Sequence, residues 1–164
     1  MRLLVLKVVT LVVAALSLAP SYAHVLEAQP RLAIWPPELW REATVFNAQF
    51  WLFAAIGAPI DILAVFVPAI LTWQLRRAGD KRRARFALAG TLCFAVALAA
   101  WFLLVAPANS ILATWTPGPF PADFAAVRWR WESGHMTVAA FKLVGVVLLA
   151  LACVLPTREA SLSR

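Results

Sequence analysis

Arg76-Arg77-Ala78-Gly79-Asp80-Lys81-Arg82-Arg83-Ala84-Arg85 separates two long apolar runs, about Val45 to Leu75 and about Phe86 to Ala106. A bilayer crossing takes roughly 20 apolar residues, and both runs reach that length. The link between them carries six basic residues and one acid, a charge run that lipid does not tolerate. Two further apolar segments flank this pair, about Leu3 to Ala23 and about Gly134 to Leu155. Pro30, Pro36 and Pro37 break the first link, and Pro117-Gly118-Pro119-Phe120-Pro121 breaks the third, because proline and glycine disfavour a continuing helix. The expected fold is all-α, a four-helix transmembrane bundle forming one domain over residues 1–164. A helical turn is expected within Pro37 to Val45, where Pro36-Pro37 and Glu38 suit a helix start.

Composition agrees. Apolar residues make up 63% of the chain and charged residues 14%, with a mean hydropathy of +0.80. A soluble domain has about 45–50% apolar and about 25% charged residues. No zinc-finger, Walker or dinucleotide-binding pattern occurs. The net charge of +7 would suit a nucleic-acid partner. Here the excess lies in the central link and at the termini (Arg2, Lys7, Arg158, Arg164), where it reads as an orientation signal.

Positive charge stays cytoplasmic. Both termini and the central link are therefore expected inside, and the links His24–Thr44 and Pro107–Ser133 outside. The lipid bilayer is the expected partner, and the expected location is the inner (plasma) membrane, crossed several times. No nucleic-acid partner is expected. Met1 to Ala23 also fits a cleavable signal peptide, with Ser21-Tyr22-Ala23 as the cleavage site. The charge rule permits either outcome. The stripe Thr10, Ser17, His24, seven residues apart on one helix face, favours retention. Trp35, Trp40, Trp115, Trp129 and Trp131 fall in the outer links. They read first as an interfacial belt, and second as a ring-lined mouth for a flat aromatic ligand. Cys93 and Cys153 lack CxxC spacing and read as buried apolar thiols.

The polar residues within the apolar segments carry the chemistry. Asp61 and Lys142 lie at depths that allow them to pair, either to fix helix register or to serve a proton or ligand; the alternative is Lys142 snorkelling outward alone. The chain has two histidines, each three residues from a glutamate, in His24-x-x-Glu27 and Glu132-x-x-His135. This spacing puts each pair on one helix face, and the topology puts both pairs on one side of the membrane. His24, Glu27, Arg128, Glu132 and His135 are thus expected to converge, with Asn109 nearby. Three chemistries remain open for them: a salt-bridged polar cap, with Arg128 or Arg130 answering Glu27 or Glu132; a mononuclear metal site; or metal-free acid–base catalysis. No cofactor follows from the residues.

Ala23-His24-Val25-Leu26-Glu27 resembles the His-Leu-Leu-Glu signature of a four-helix membrane family that includes the fungal anthrone oxygenases. Pro107-Ala108-Asn109, Trp115-Thr116, Phe120-Pro121-Ala122-Asp123-Phe124 and Arg128-Trp129-Arg130-Trp131-Glu132-x-x-His135 extend the resemblance along nearly the whole chain. Ala28-Gln29-Pro30-Arg31 departs from the family's Pro-Gly-Lys, keeping the basic position but moving the proline. The resemblance favours retention of the first helix. It implies an oxidation of an aromatic or quinone-like molecule by dioxygen, with His24 or His135 as base and Arg128 or Arg130 stabilising an oxyanion. The alternative is a non-enzymatic membrane accessory or binding protein whose His/Glu/Arg cluster is structural. Substrate and oligomeric state are not encoded legibly.

Overall fold

A computed structural model describes residues 1–47 and 51–156. These residues form helices α1 (Arg2–Ala33), α2 (Pro37–Arg41), α3 (Trp51–Arg77), α4 (Lys81–Ala100), α5 (Ala106–Leu112) and α6 (Phe124–Val154). No strand occurs among the described residues. Four stretches are long and apolar enough to cross a membrane: Arg2–Ala33, Ala55–Arg77, Lys81–Leu112 and Phe124–Val154. α1 packs between α3 and α6, and α4 packs between the same two helices on the opposite side, closing a ring of four. The third link is confirmed as the break before α6. The basic link is a tight turn between α3 and α4, with Gly79 at φ 76°.

The helices outrun the expected boundaries at the end of the bundle that holds the histidines, the His end. α1 passes Pro20 and Pro30 and continues to Ala33, so His24 and Glu27 are helical and do not lie in a link. A proline costs a helix about 3 kcal/mol. The turn after Pro30 is held by Arg31, whose guanidinium bonds both acids described below, and Ile34 N–H and Trp35 N–H both donate to Pro30 O to close the helix. The third span likewise passes Pro107. A π-helical turn, Trp101–Val105, joins α4 to α5. Leu103 O, which Pro107 four residues on cannot satisfy, accepts from Arg130 Nη2 at 3.2 Å. α6 starts at Phe124, ten residues before the expected Gly134, so Arg128, Arg130 and Glu132 are helical too. Helix formation in Pro37 to Val45 is as expected: α2 starts at Pro37 and runs into a second π-helical turn, Glu42–Phe46. The expected second segment began at Val45; α3 is described from Trp51, and residues 48–50 lie outside the described ones. Arg158 and Arg164 lie outside them as well.

Packing is layered along the bundle. At the His end, Trp40, Val105, Ala108, Leu112, Phe124, Val127 and Trp131 form an apolar cap. Mid-bundle, Ala14, Ala64, Phe94 and Leu149 meet across all four long helices. At the opposite, basic end, Leu71, Leu75, Ala84, Ala87 and Ala152 close the core. α4 and α6 approach closely through glycine: a Cβ on Gly90 would sit 2.7 Å from Leu149 Cγ, and one on Gly145 2.8 Å from Phe94 Cε2. Without a hydrophobic drive between helices in lipid, small residues at crossings let dispersion contacts hold the pair.

The tryptophans correct the interfacial-belt reading. Trp40 and Trp131 are buried, Trp35 and Trp115 pack against the same cap, and only Trp129 of the five is exposed. In the second reading they line a mouth for a flat ligand, but here the rings pack on one another: Trp40 meets Phe124 and Trp131 edge-on at 5.9 and 5.8 Å. Cys93 and Cys153 are free and half-buried, less enclosed than expected.

Candidate functional site

The α1 stripe Thr10, Ser17, His24 faces inward as its spacing requires, joined by Ser21 and Arg31. α6 presents Arg128, Glu132, His135 and Lys142 to the same interior. The two imidazoles meet face to face, with centroids 4.1 Å apart and planes 18° apart. Trp131 sits edge-on to both, 5.3 Å from His24 and 4.4 Å from His135.

Arg31 is the centre of the cluster. Its Nη2 donates to Glu132 Oε2 at 3.1 Å, and its Nε lies 3.0 Å from Glu132 Oε1, an ion-pair contact without hydrogen-bond alignment. Nη1 donates to Glu27 Oε2 at 2.9 Å, and Nη2 also reaches His24 O at 3.2 Å. Glu132 is fully buried and takes a further bond from Trp40 Nε1 at 2.9 Å. α2 is thereby tied to α6 through the acid that pairs with α1. Arg31 Nη2 also lies 3.3 Å from His24 Nδ1. Nη2 carries two N–H groups and has three acceptors in reach, Glu132 Oε2, His24 O and His24 Nδ1.

The cation that answers Glu27 and Glu132 is Arg31, not the expected Arg128 or Arg130. Arg128 Nη2 donates to Arg31 O, supporting the end of α1, and Arg128 Cζ lies 5.6 Å from the Trp40 ring centroid. Arg130 is exposed and serves the π-helical turn. Asn109 Oδ1 accepts from Trp131 Nε1 at 2.8 Å, which fixes the ring that flanks both histidines. Trp40, expected at the interface, is an acid-binding side chain. Arg41, the next residue, donates to Gly118 O at 2.8 Å and lies 4.4 Å above the Phe120 ring, pinning the third link across the cap.

The ring geometry bears on metal binding. Imidazole lone pairs lie in the ring plane. Planes stacked at 18° do not meet near both nitrogens at a bond length of about 2.0–2.1 Å. No group of three or more His, Cys, Asp or Glu able to hold a metal ion occurs among the described residues. As it stands, the pair suits proton transfer better than shared ligation. His135 is half-buried, and no hydrogen bond engages its ring among the described residues.

Seven residues below His135, Lys142 Nζ lies 2.7 Å from Asp61 Oδ1, the intramembrane pair that the segment depths allowed. Neither a family model, nor a curated protein, nor a solved structure matches the chain.

Proposed function

We propose that this is a multi-pass inner-membrane protein of the anthrone oxygenase-like four-helix class, in which His135 takes a proton from a flat, lipophilic aromatic substrate. Both termini lie in the cytoplasm and the His end faces outside. The exposed Arg76, Arg77, Lys81, Arg82 and Arg85 at the basic end support this orientation. Retention of Met1 to Ala23 is supported by the buried Thr10, Ala14, Ser17 and Ser21, which fill the bundle interior.

The observation that carries the catalytic reading is the His135 ring. It stacks on His24 and meets Trp131 edge-on, and no hydrogen bond engages its nitrogens among the described residues. His24, with Nδ1 beside Arg31 Nη2, is the positioning partner. Glu27, Glu132 and Arg128 hold the frame. In the reaction, a methylene activated by a neighbouring carbonyl gives its proton to His135. The resulting carbanion reduces dioxygen and forms a C–O bond. The hydroperoxide then loses water to leave a new carbonyl, so one oxygen atom enters the product and one leaves as water. The substrate itself supplies the electrons.

The test uses purified protein in detergent with anthrone and dioxygen, following oxygen uptake and anthraquinone absorbance. His135→Ala is expected to lose about 10²-fold or more, the usual size of a general-base contribution, and His24→Ala less. A wild-type rate no faster than protein-free buffer overturns the enzyme reading. One feature favours the second reading, a non-enzymatic membrane binding or accessory protein. Arg31, Arg41, Arg128 and Arg130 each bond a carboxylate or carbonyl within the chain, as in a structural cap. Saturable anthraquinone binding without turnover supports that reading.

A further inference from the structure

Between the His pair and the mid-bundle apolar layer, α1, α3 and α6 build a second polar site. Lys142 is 3% exposed. Its Nζ lies 2.7 Å from Asp61 Oδ1, 3.0 Å from Ser21 Oγ and 3.1 Å from Ser17 O. An ammonium has three N–H donors, and each has an acceptor. Ser17 Oγ donates to the same Asp61 Oδ1 at 2.6 Å, which fixes the carboxylate in place. The cage is thus a carboxylate from α3 with a hydroxyl and a backbone carbonyl from α1, while the cation enters from α6.

We propose that this cage is a monovalent-cation site of the bundle core, occupied by the protein's own tethered ammonium. Three features support the assignment. The ligands are all oxygens, the set that hard cations take. One carboxylate balances one positive charge, so a divalent ion would leave a buried excess. The cage oxygens belong to α1 and α3 alone, so shortening the α6 side chain removes none of them.

The site also ends the polar column that starts at Arg31. Beyond it lies the layer of Ala14, Ala64, Phe94 and Leu149. The hydroxyls nearer the basic end are spent on their own helices: Thr10 donates to Leu6 O, Thr72 to Pro68 O and Thr91 to Ala87 O. The tether fills the one oxygen cage described between the His pair and that layer, so the site holds a charge without passing ions.

Lys142→Ala removes the tethered cation and leaves the oxygens. The variant is purified and melted in sodium, methylammonium and choline chloride at equal ionic strength. In choline, its midpoint is expected roughly 10 °C below wild type, the scale of a broken buried ion pair. Methylammonium or sodium is expected to restore at least half of that loss. Asp61→Asn combined with Lys142→Ala is expected to show no difference among the salts. Identical behaviour of Lys142→Ala in all three salts, whether folded or unfolded, overturns the cation site. None of these measurements depends on catalytic activity.

Discussion

The two ends of the bundle use arginine in opposite ways. At the His end, Arg31, Arg41 and Arg128 are buried and each is bonded within the chain. At the basic end, Arg76, Arg77, Arg82 and Arg85 are exposed. Among the described arginines of that end, Arg83 alone is drawn in, to Asp80 at 2.6 Å. Exposed charge beside a helix end carries orientation and little stability. Buried charge carries a desolvation cost that its partners must offset, so removing one partner there is expensive. The contrast separates exposed charge at one end of the bundle from buried, bonded charge that holds the other end together.

Glu132→Ala should have the largest effect, because Arg31 would remain buried with only the exposed Glu27 as its acid and Trp40 Nε1 would lose its acceptor. Breaking a buried pair from one side costs about 3–5 kcal/mol. The expected outcome is a large fall in the thermal midpoint of the detergent-purified protein. Replacing both Arg31 and Glu132 by Met should recover part of the loss, since the one charge left without its partner, Glu27, is exposed. A midpoint unchanged by Glu132→Ala would mean that the His end is no more demanding than the basic end.

Gly134→Ala comes next. A Cβ there would sit 2.9 Å from Val105 Cγ2 and 3.2 Å from Leu104 Cβ, in the π-helical turn. Overpacking of this kind costs about 1–3 kcal/mol. The strain falls beside His135, so oxidation of anthrone, where present, should drop by more than the stability change explains. π-helical turns often occur at functional sites, and this one delivers Val105 onto the α6 turn that bears the histidine. Gly57→Ala is the control, because nothing lies within 4 Å of its added Cβ. Equal losses at both glycines would remove the special status of the His end.

The middle of each helix was legible, and the ends were not. Apolar runs of membrane length identify themselves, and Asp61 and Lys142 stand out because charge inside such runs is rare. The meeting of His24 with His135 followed from helix spacing and from an even number of crossings between them. The ends failed because hydropathy falls before helicity does. Pro30 and Pro107 read as breaks, and Arg128 to Glu132 read as a loop, yet Arg31 and Arg130 supply bonds that let the helices run on. Arg31 itself was hidden among several arginines in the two outer links. Its partner Glu132 is 101 residues away, and nothing local distinguished it from Arg128. Trp40 was hidden for a related reason: an indole at a membrane boundary has an ordinary interfacial use, and only tertiary contact shows its N–H on a buried carboxylate.

The smallest expected effect belongs to Asp80, the one acid of the basic link. It caps α4: Oδ1 accepts from Arg83 N–H at 3.0 Å, and Oδ2 from Arg83 Nε at 2.6 Å. Partial burial disfavours the charged carboxylate, but the Arg83 backbone N–H and guanidinium outweigh it and hold the carboxyl below its ordinary range. A group whose pKa is depressed by folding contributes stability above its unfolded pKa, about 3.9 for aspartate. That contribution is lost as pH falls through the lower folded value. Asp80→Ala should cost about 1 kcal/mol at neutral pH, as lost N-caps do. Asp80→Asn keeps a capping oxygen and loses only the charge. The gap between wild type and Asp80→Asn should therefore be constant from pH 7 to about 5 and close as acid is added below about pH 3.9. It should also shrink in high salt, because the pair lies near solvent. A gap that widened in acid would reverse the sign of the Arg83 contribution. A loss matching that of Glu132→Ala would mean that the basic end is built on buried charge after all.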